Sequence, residues 1–147
     1  WPAEAPGQPS AEPPPLSAEL EGQPPWTKVV DDFMVFWACN TEWAAWDSKP
    51  APGACLSDGI WHLLLIRGKS ASRTRLLRAF LALDKGEHVH VPGVEIVKCR
   101  AFRLIPISKS GHLALDGEKL PFGPVQVWPS RYRGHVLGGE PSNLSLP

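Results

Sequence analysis

Residues 60–66, IWHLLLI, constrain this chain more than any other stretch. All but His62 are apolar, so the alternation that marks a strand wet on one face is missing. A short continuous apolar run fits a strand buried on both faces, ended here by Arg67-Gly68. Such a strand needs partners at both edges and a layer over each face, which the rest of the chain must supply. Residues 29–38, VVDDFMVFWA, are rich in β-branched and aromatic side chains and predict a second strand. Between the two lies a long loop, TEWAAWDSKPAPG, punctuated by Pro50, Pro52 and Gly53. Residues 94–107 are long enough for a bent or bulged strand. Residues 113–115 run into Asp116-Gly117, a turn pair, and residues 125–128 and 135–137 add two short strands.

One helix interrupts this β pattern, over residues 72–85. Ser70 or Ser72 serves as N-cap, because a serine hydroxyl accepts from a free backbone N–H, and Gly86 serves as the stop. On the helical wheel Leu76, Leu77, Ala79, Phe80, Leu81 and Leu83 spread over roughly 200°, about twice what packing on one sheet requires. The excess predicts that a second surface is covered, by more protein or by an apolar ligand. Thr74, Arg75, Arg78, Ala82 and Lys85 occupy the remaining face, while Arg73 and Asp84 fall inside the apolar arc at the helix ends. The expected fold class is mainly β: a β-sandwich or curled sheet carrying one prominent helix.

Composition removes several classes of function. Fifteen basic and fifteen acidic side chains leave a formal charge of zero over 147 residues, so no nucleic-acid partner is expected. Cys39, Cys55 and Cys99 are odd in number and lack CxxC spacing, which argues against a disulfide framework or a zinc site and suits a reducing compartment. No apolar stretch approaches twenty residues and no signal-peptide pattern appears. The first residue is Trp1, which reads as a piece of a longer protein. Residues 1–25 hold eight of the seventeen prolines and few large apolar groups, and are expected to be a disordered linker of polyproline character. The alternative is a docking arm, since Pro13, Pro14 and Pro15 form a short run. Order is expected to begin near Trp26, giving a folded unit over 26–147.

Four stretches stand in order along this unit: Ala51-Pro52 with Ser57-Asp58-Gly59 and His62-Leu63; SRTRLLRAFLALDKGEH from Ser72; AFRLIPIS from Ala101; and LALDGE from Leu113. Together they resemble the C-terminal domain of sphingosine kinases, within the diacylglycerol-kinase-like lipid kinases. The resemblance covers residues 26–139. It implies a two-lobed enzyme that uses ATP and Mg²⁺ to phosphorylate the primary hydroxyl of a long-chain base, here without its N-terminal nucleotide lobe. The chain alone is therefore expected to be inactive. No GGDG-type loop is present; Gly138-Gly139 runs into Glu140-Pro141 and reads as a turn.

The resemblance also assigns residues. Asp116, Gly117 and Glu118 would reach the nucleotide at the interlobe cleft, with Glu118 as proton acceptor; glycine permits close approach and carboxylates can hold a hydroxyl or a proton. Asp58 corresponds to a turn that holds Mg²⁺ in bacterial relatives, feasible for one carboxylate only with carbonyls and waters added. Leu64, Leu76, Ala79, Leu83 and His88 match positions lining the acyl channel, where the small Ala79 affects channel width. His62, alone in an apolar strand, reads as a hydrogen-bonded core residue, and His90, His112 and His135 show no ligand spacing. The basic helix face of Arg75, Arg78 and Lys85 reads as solvated or as a contact for anionic headgroups. The expected setting is cytoplasmic and peripherally membrane-associated, with the lipid as partner. Kept open are a ceramide or diacylglycerol kinase lobe, a non-catalytic lipid-binding module, and a scaffold acting through the Pro-rich arm.

Overall fold

The computed structural model describes residues 14–21 and 25–128. The strand expected at 135–137 and the turn at Gly138-Gly139 lie outside the described residues, as does Pro13. Within them the regular elements are mostly antiparallel strands, with one α-helix.

The apolar run folds as expected into the central strand of a three-stranded sheet. β1 (Phe33–Cys39), β2 (Trp61–Arg67) and β3 (Val94–Cys99) lie in the order β1-β2-β3, and His62, Leu63, Leu64, Leu65 and Ile66 of β2 are all buried. Pairing sets which residues share a face. Trp37 lies opposite Leu64 and Leu64 opposite Ile96, so these three look the same way. β1 begins later than its composition predicts, at Phe33 rather than Val29. The reason is partnership: Phe33 pairs with Arg67, where β2 ends, so Val29 and Val30 find no ladder and stay exposed.

α1 (Arg73–Leu81) covers one face of this sheet. Ser72 is its N-cap, accepting from the Arg75 N–H at 3.3 Å. The helix stops four residues short of the predicted end at Lys85. The Leu83 carbonyl accepts from Lys49 N–H at 2.9 Å, and Gly86 then turns the chain at φ 71° into a 3-10 turn, Glu87–His90. Past Leu81 the ladder tightens to i−3 bonds, from Leu83 N–H to the Phe80 carbonyl at 3.3 Å and from Gly86 N–H to the Leu83 carbonyl at 3.2 Å, and Lys49 satisfies a carbonyl that a helix end leaves free. Leu64, Ile66 and Ala79 form the buried core, joined by Val35, Trp37, Leu76, Val94 and Ile96.

The opposite face belongs to β4 (Phe102–Leu104), which pairs with β7 (Val125–Val127). Phe102 packs against Phe36 at 5.6 Å and Trp61 at 6.0 Å between ring centroids, closing the second layer. The stretch 94–107 is therefore two strands, not one bent strand: β3 ends at Cys99 and β4 joins another sheet. Arg67 bridges on this side, with Nε 2.7 Å from Glu95 and its other nitrogens on Glu95 and Asp31.

β5 (Leu113–Leu115) and β6 (Glu118–Leu120) form a separate hairpin. The Pro-rich arm also meets the fold. The Arg103 guanidinium donates to the carbonyls of Pro15, Leu16 and Ala18, and Gln126 Nε2 donates to the Pro14 carbonyl at 2.8 Å.

Candidate functional site

Between α1 and the sheet lies a small cleft lined by Val35, Trp37, Leu64, Ile66, Ala79, Phe80, Leu83, His88 and Val94. Four residues assigned from the sequence, Leu64, Ala79, Leu83 and His88, therefore share one cavity. Leu76 is half-buried and packs against the same core without lining the cleft. Val35 and Trp37 were not among the candidates. Their alternation in FMVFWAC, in register with Leu64 and Ile66, is the signal that places them there. The cleft volume is about 20 Å³, room for about one water-sized group.

His88 is the one titratable side chain of the cleft wall and is 1% exposed. Its Nε2 lies 3.0 Å from the Pro50 carbonyl. A carbonyl can only accept, so Nε2 carries the proton and Nδ1 is the bare nitrogen. Nδ1 is buried and has no hydrogen-bond partner. Burial pushes the imidazole below its ordinary value, against the pull of the Pro50 and Ala82 carbonyls, and holds the ring neutral. His62 is buried in β2 as expected, but its Nδ1 also lacks a hydrogen bond. Burial, then Lys98 on the neighbouring strand, lowers it.

The carboxylate turn stands apart from the cleft. Leu115 pairs with Glu118, leaving Asp116 and Gly117 as a two-residue loop with φ of 49° and 85°. Positive φ at both positions is the hairpin geometry that Asp-Gly favours. Nothing lies within 4 Å of where a Gly117 Cβ would sit, so the turn demands the glycine and no close neighbour does. Asp116, Gly117 and Glu118 are all exposed.

Asp58 also sits in a turn. Its carboxylate accepts from the Ile60 N–H at 2.8 Å, and Gly59 follows at φ 65°. No three His, Cys, Asp or Glu residues gather to hold a metal ion among the described residues. The donors at this turn are one engaged carboxylate and backbone carbonyls, a set that does not fit a divalent cation without several waters.

An antiparallel sheet layered between a helix and a second ribbon, with an apolar cleft under the helix, makes a β-sandwich-like lobe. The profile of the YegS C-terminal NAD kinase beta sandwich-like domain matches residues 15–140, and the chain belongs to that family. It is 36% identical to Sphingosine kinase 2 of Homo sapiens over 130 residues, which are 87% of this chain and 19% of that protein. It is 37% identical to Sphingoid long chain base kinase 5 of Saccharomyces cerevisiae over 99 residues, 67% of this chain and 14% of that protein. With Sphingosine kinase 1 of Homo sapiens it shares 36% over 104 residues, 69% of this chain and 27% of that protein. The chain thus spans between 14% and 27% of the length of these curated relatives.

Proposed function

We propose that the chain is the C-terminal part of an ATP-dependent lipid kinase acting on the primary hydroxyl of sphingosine or a related long-chain base. The cleft under α1 carries this reading, because only Trp37 and His88 of its lining residues bear a polar side-chain atom. An alkyl chain asks for such a wall: burial of each CH₂ contributes about 0.8 kcal/mol, and no polar group there needs a partner from the ligand except the bare His88 Nδ1. At about 20 Å³ the cleft admits a long chain only as α1 lifts from β1–β3.

In this reading residues 26–147 are the lipid-binding lobe, and residues 1–25 are a linker or docking arm leading into it. The nucleotide lobe lies elsewhere in the protein, and the small share of each relative that this chain matches supports that division. ATP with Mg²⁺, held mainly by that lobe, supplies the phosphoryl group. This chain's residues hold the alkyl chain and so orient the hydroxyl. Asp116, Gly117 and Glu118 face the nucleotide cleft, with Glu118 taking the hydroxyl proton. The protein works in the cytoplasm at a membrane surface. No described helix is long and apolar enough to cross a membrane.

Sphingosine titration of the chain, followed by tryptophan fluorescence, tests the pocket, since Trp37 lines the cleft. Saturable quenching is expected, and Leu76→Glu/Leu83→Glu is expected to abolish it with the circular dichroism spectrum retained. A folded chain that does not respond removes the pocket from this lobe. Sphingosine phosphorylation by the isolated chain would contradict the division into two lobes.

A further inference from the structure

The cleft under α1 holds one unmet demand. His88 is 1% exposed, and its Nε2 donates to the Pro50 carbonyl at 3.0 Å. Nδ1 is then an acceptor with a free lone pair, and it is buried without a hydrogen bond. The Ala82 carbonyl beside the ring cannot supply one, because a carbonyl only accepts. Burial keeps the ring neutral, so Nδ1 does not meet the demand by taking a proton. A buried acceptor left this way is costly, and native interiors seldom keep one.

The surroundings decide what satisfies it. Trp37 carries the other polar side-chain atom of the lining and makes no hydrogen bond to Nδ1. The space is about 20 Å³, one water-sized group. A plain alkyl chain entering as α1 lifts covers Nδ1 with CH₂ groups and leaves it bare. An amide brings a carbonyl that this ring, already donating to Pro50, cannot serve. An ammonium brings a charge against an apolar wall. A hydroxyl is water-sized, donates one proton and carries no charge.

We propose that His88 Nδ1 selects long-chain lipids that carry a hydroxyl along the alkyl chain, by accepting its hydrogen bond inside the cleft. The proposal rests on the reading of the cleft as the alkyl-chain pocket and deepens it by naming the substrate class, a chain-hydroxylated long-chain base. This hydroxyl is distinct from the primary one that receives phosphate, which in that reading lies outside the cleft. His88 is thereby a specificity-determining residue and takes no part in the chemical step.

Tryptophan-fluorescence titration of the chain with sphingosine, and with analogues bearing one added hydroxyl at successive chain carbons, tests this. One position in the series is expected to bind about fivefold tighter than sphingosine, because only one carbon passes Nδ1. His88→Phe should remove that preference and still bind sphingosine. His88→Gln, whose amide can donate to Pro50 and whose oxygen can accept, should restore part of it. His62→Leu should keep it, since His62 shares the face of Leu64 on β2 but lies outside the lining. The wild-type ring gives a readout that needs no variant: the ¹⁵N resonance of His88 Nδ1 should move upfield with the favoured analogue and not with sphingosine. A stationary resonance overturns the proposal, and so does a folded His88→Phe chain that keeps the preference. A series in which no added hydroxyl improves affinity overturns it with the alkyl-chain reading intact, by assigning Nδ1 to a retained water. A folded chain that binds none of the series overturns both.

Discussion

In β2 five consecutive residues are buried, whereas in β5 and β6 none of the six is. Both regions are antiparallel and both are partly apolar, so strand propensity does not separate them. Layering does: β2 has a strand on each edge, a helix over one face and Phe102 against the other, while the β5–β6 hairpin has only itself. An isolated hairpin is marginal in water. The sheet with α1 therefore carries the stability of the chain, and the hairpin carries residues presented outward, Asp116 and Glu118 among them. Leu115 at 56% exposed and Ile107 at 81% show how much apolar area this second region leaves open.

Truncation should divide the two regions most sharply. Leu64→Ala removes a buried side chain from the core and is expected to cost about 2–5 kcal/mol in urea unfolding. Leu115→Ala should stay within about 0.5 kcal/mol. Equal losses would mean that the hairpin belongs to the core.

Acid comes next, and it too should act through the sheet. His62 and His88 titrate below their ordinary value of 6.5 because both are buried. The unfolded chain therefore binds protons first, and stability should fall as pH drops below 6.5, by at most about 1.4 kcal/mol per pH unit for each ring. His62→Leu and His88→Leu should each remove their share of that slope. Lower still, the hydrogen bonds from Arg67 hold Glu95 and Asp31 below their ordinary 4.5 and 3.8. Their contribution is complete above those values and is lost as pH falls through the depressed ones, so Arg67→Met should flatten this limb of a urea-midpoint profile.

A smaller effect is expected in the hairpin. Gly117→Ala places a side chain at φ 85°, at a cost of about 1 kcal/mol. Amide exchange in β5 and β6 should accelerate while the global urea midpoint barely moves. The smallest change in stability is expected from Arg103→Ala, within about 0.5 kcal/mol. Its readout is local: proteolysis within residues 14–18 should speed up.

What could be read from the sequence was what short-range chemistry decides. The apolar run of β2, the Ser72 cap and the Asp116-Gly117 turn each follow from neighbouring residues and stand where expected. Long-range partners decided the rest. The end of β2 at Arg67 delays the start of β1, and the second sheet takes β4 away from β3. The candidate site divides the same way. Leu64, Ala79, Leu83 and His88 lie on one cleft, but its small volume depends on how closely α1 seats, and spacing carries no measure of that. Leu77 and Leu81 stand in the sequence as surplus apolar arc; only their exposure separates them from Ala79 and Leu76, which pack on the sheet.

The grip of Arg103 on three carbonyls of the Pro-rich arm couples two events that look independent. Any protein that binds Pro14 and Pro15 must first draw this segment off Arg103 and Gln126, so its measured affinity is scaled by the fraction of time the arm is free. The coupling is reciprocal: a ligand that tightens the β4–β7 ribbon would weaken capture of the arm by the same factor. A proline segment 88 residues away from Arg103 in sequence thereby becomes a gauge of the state of the second sheet.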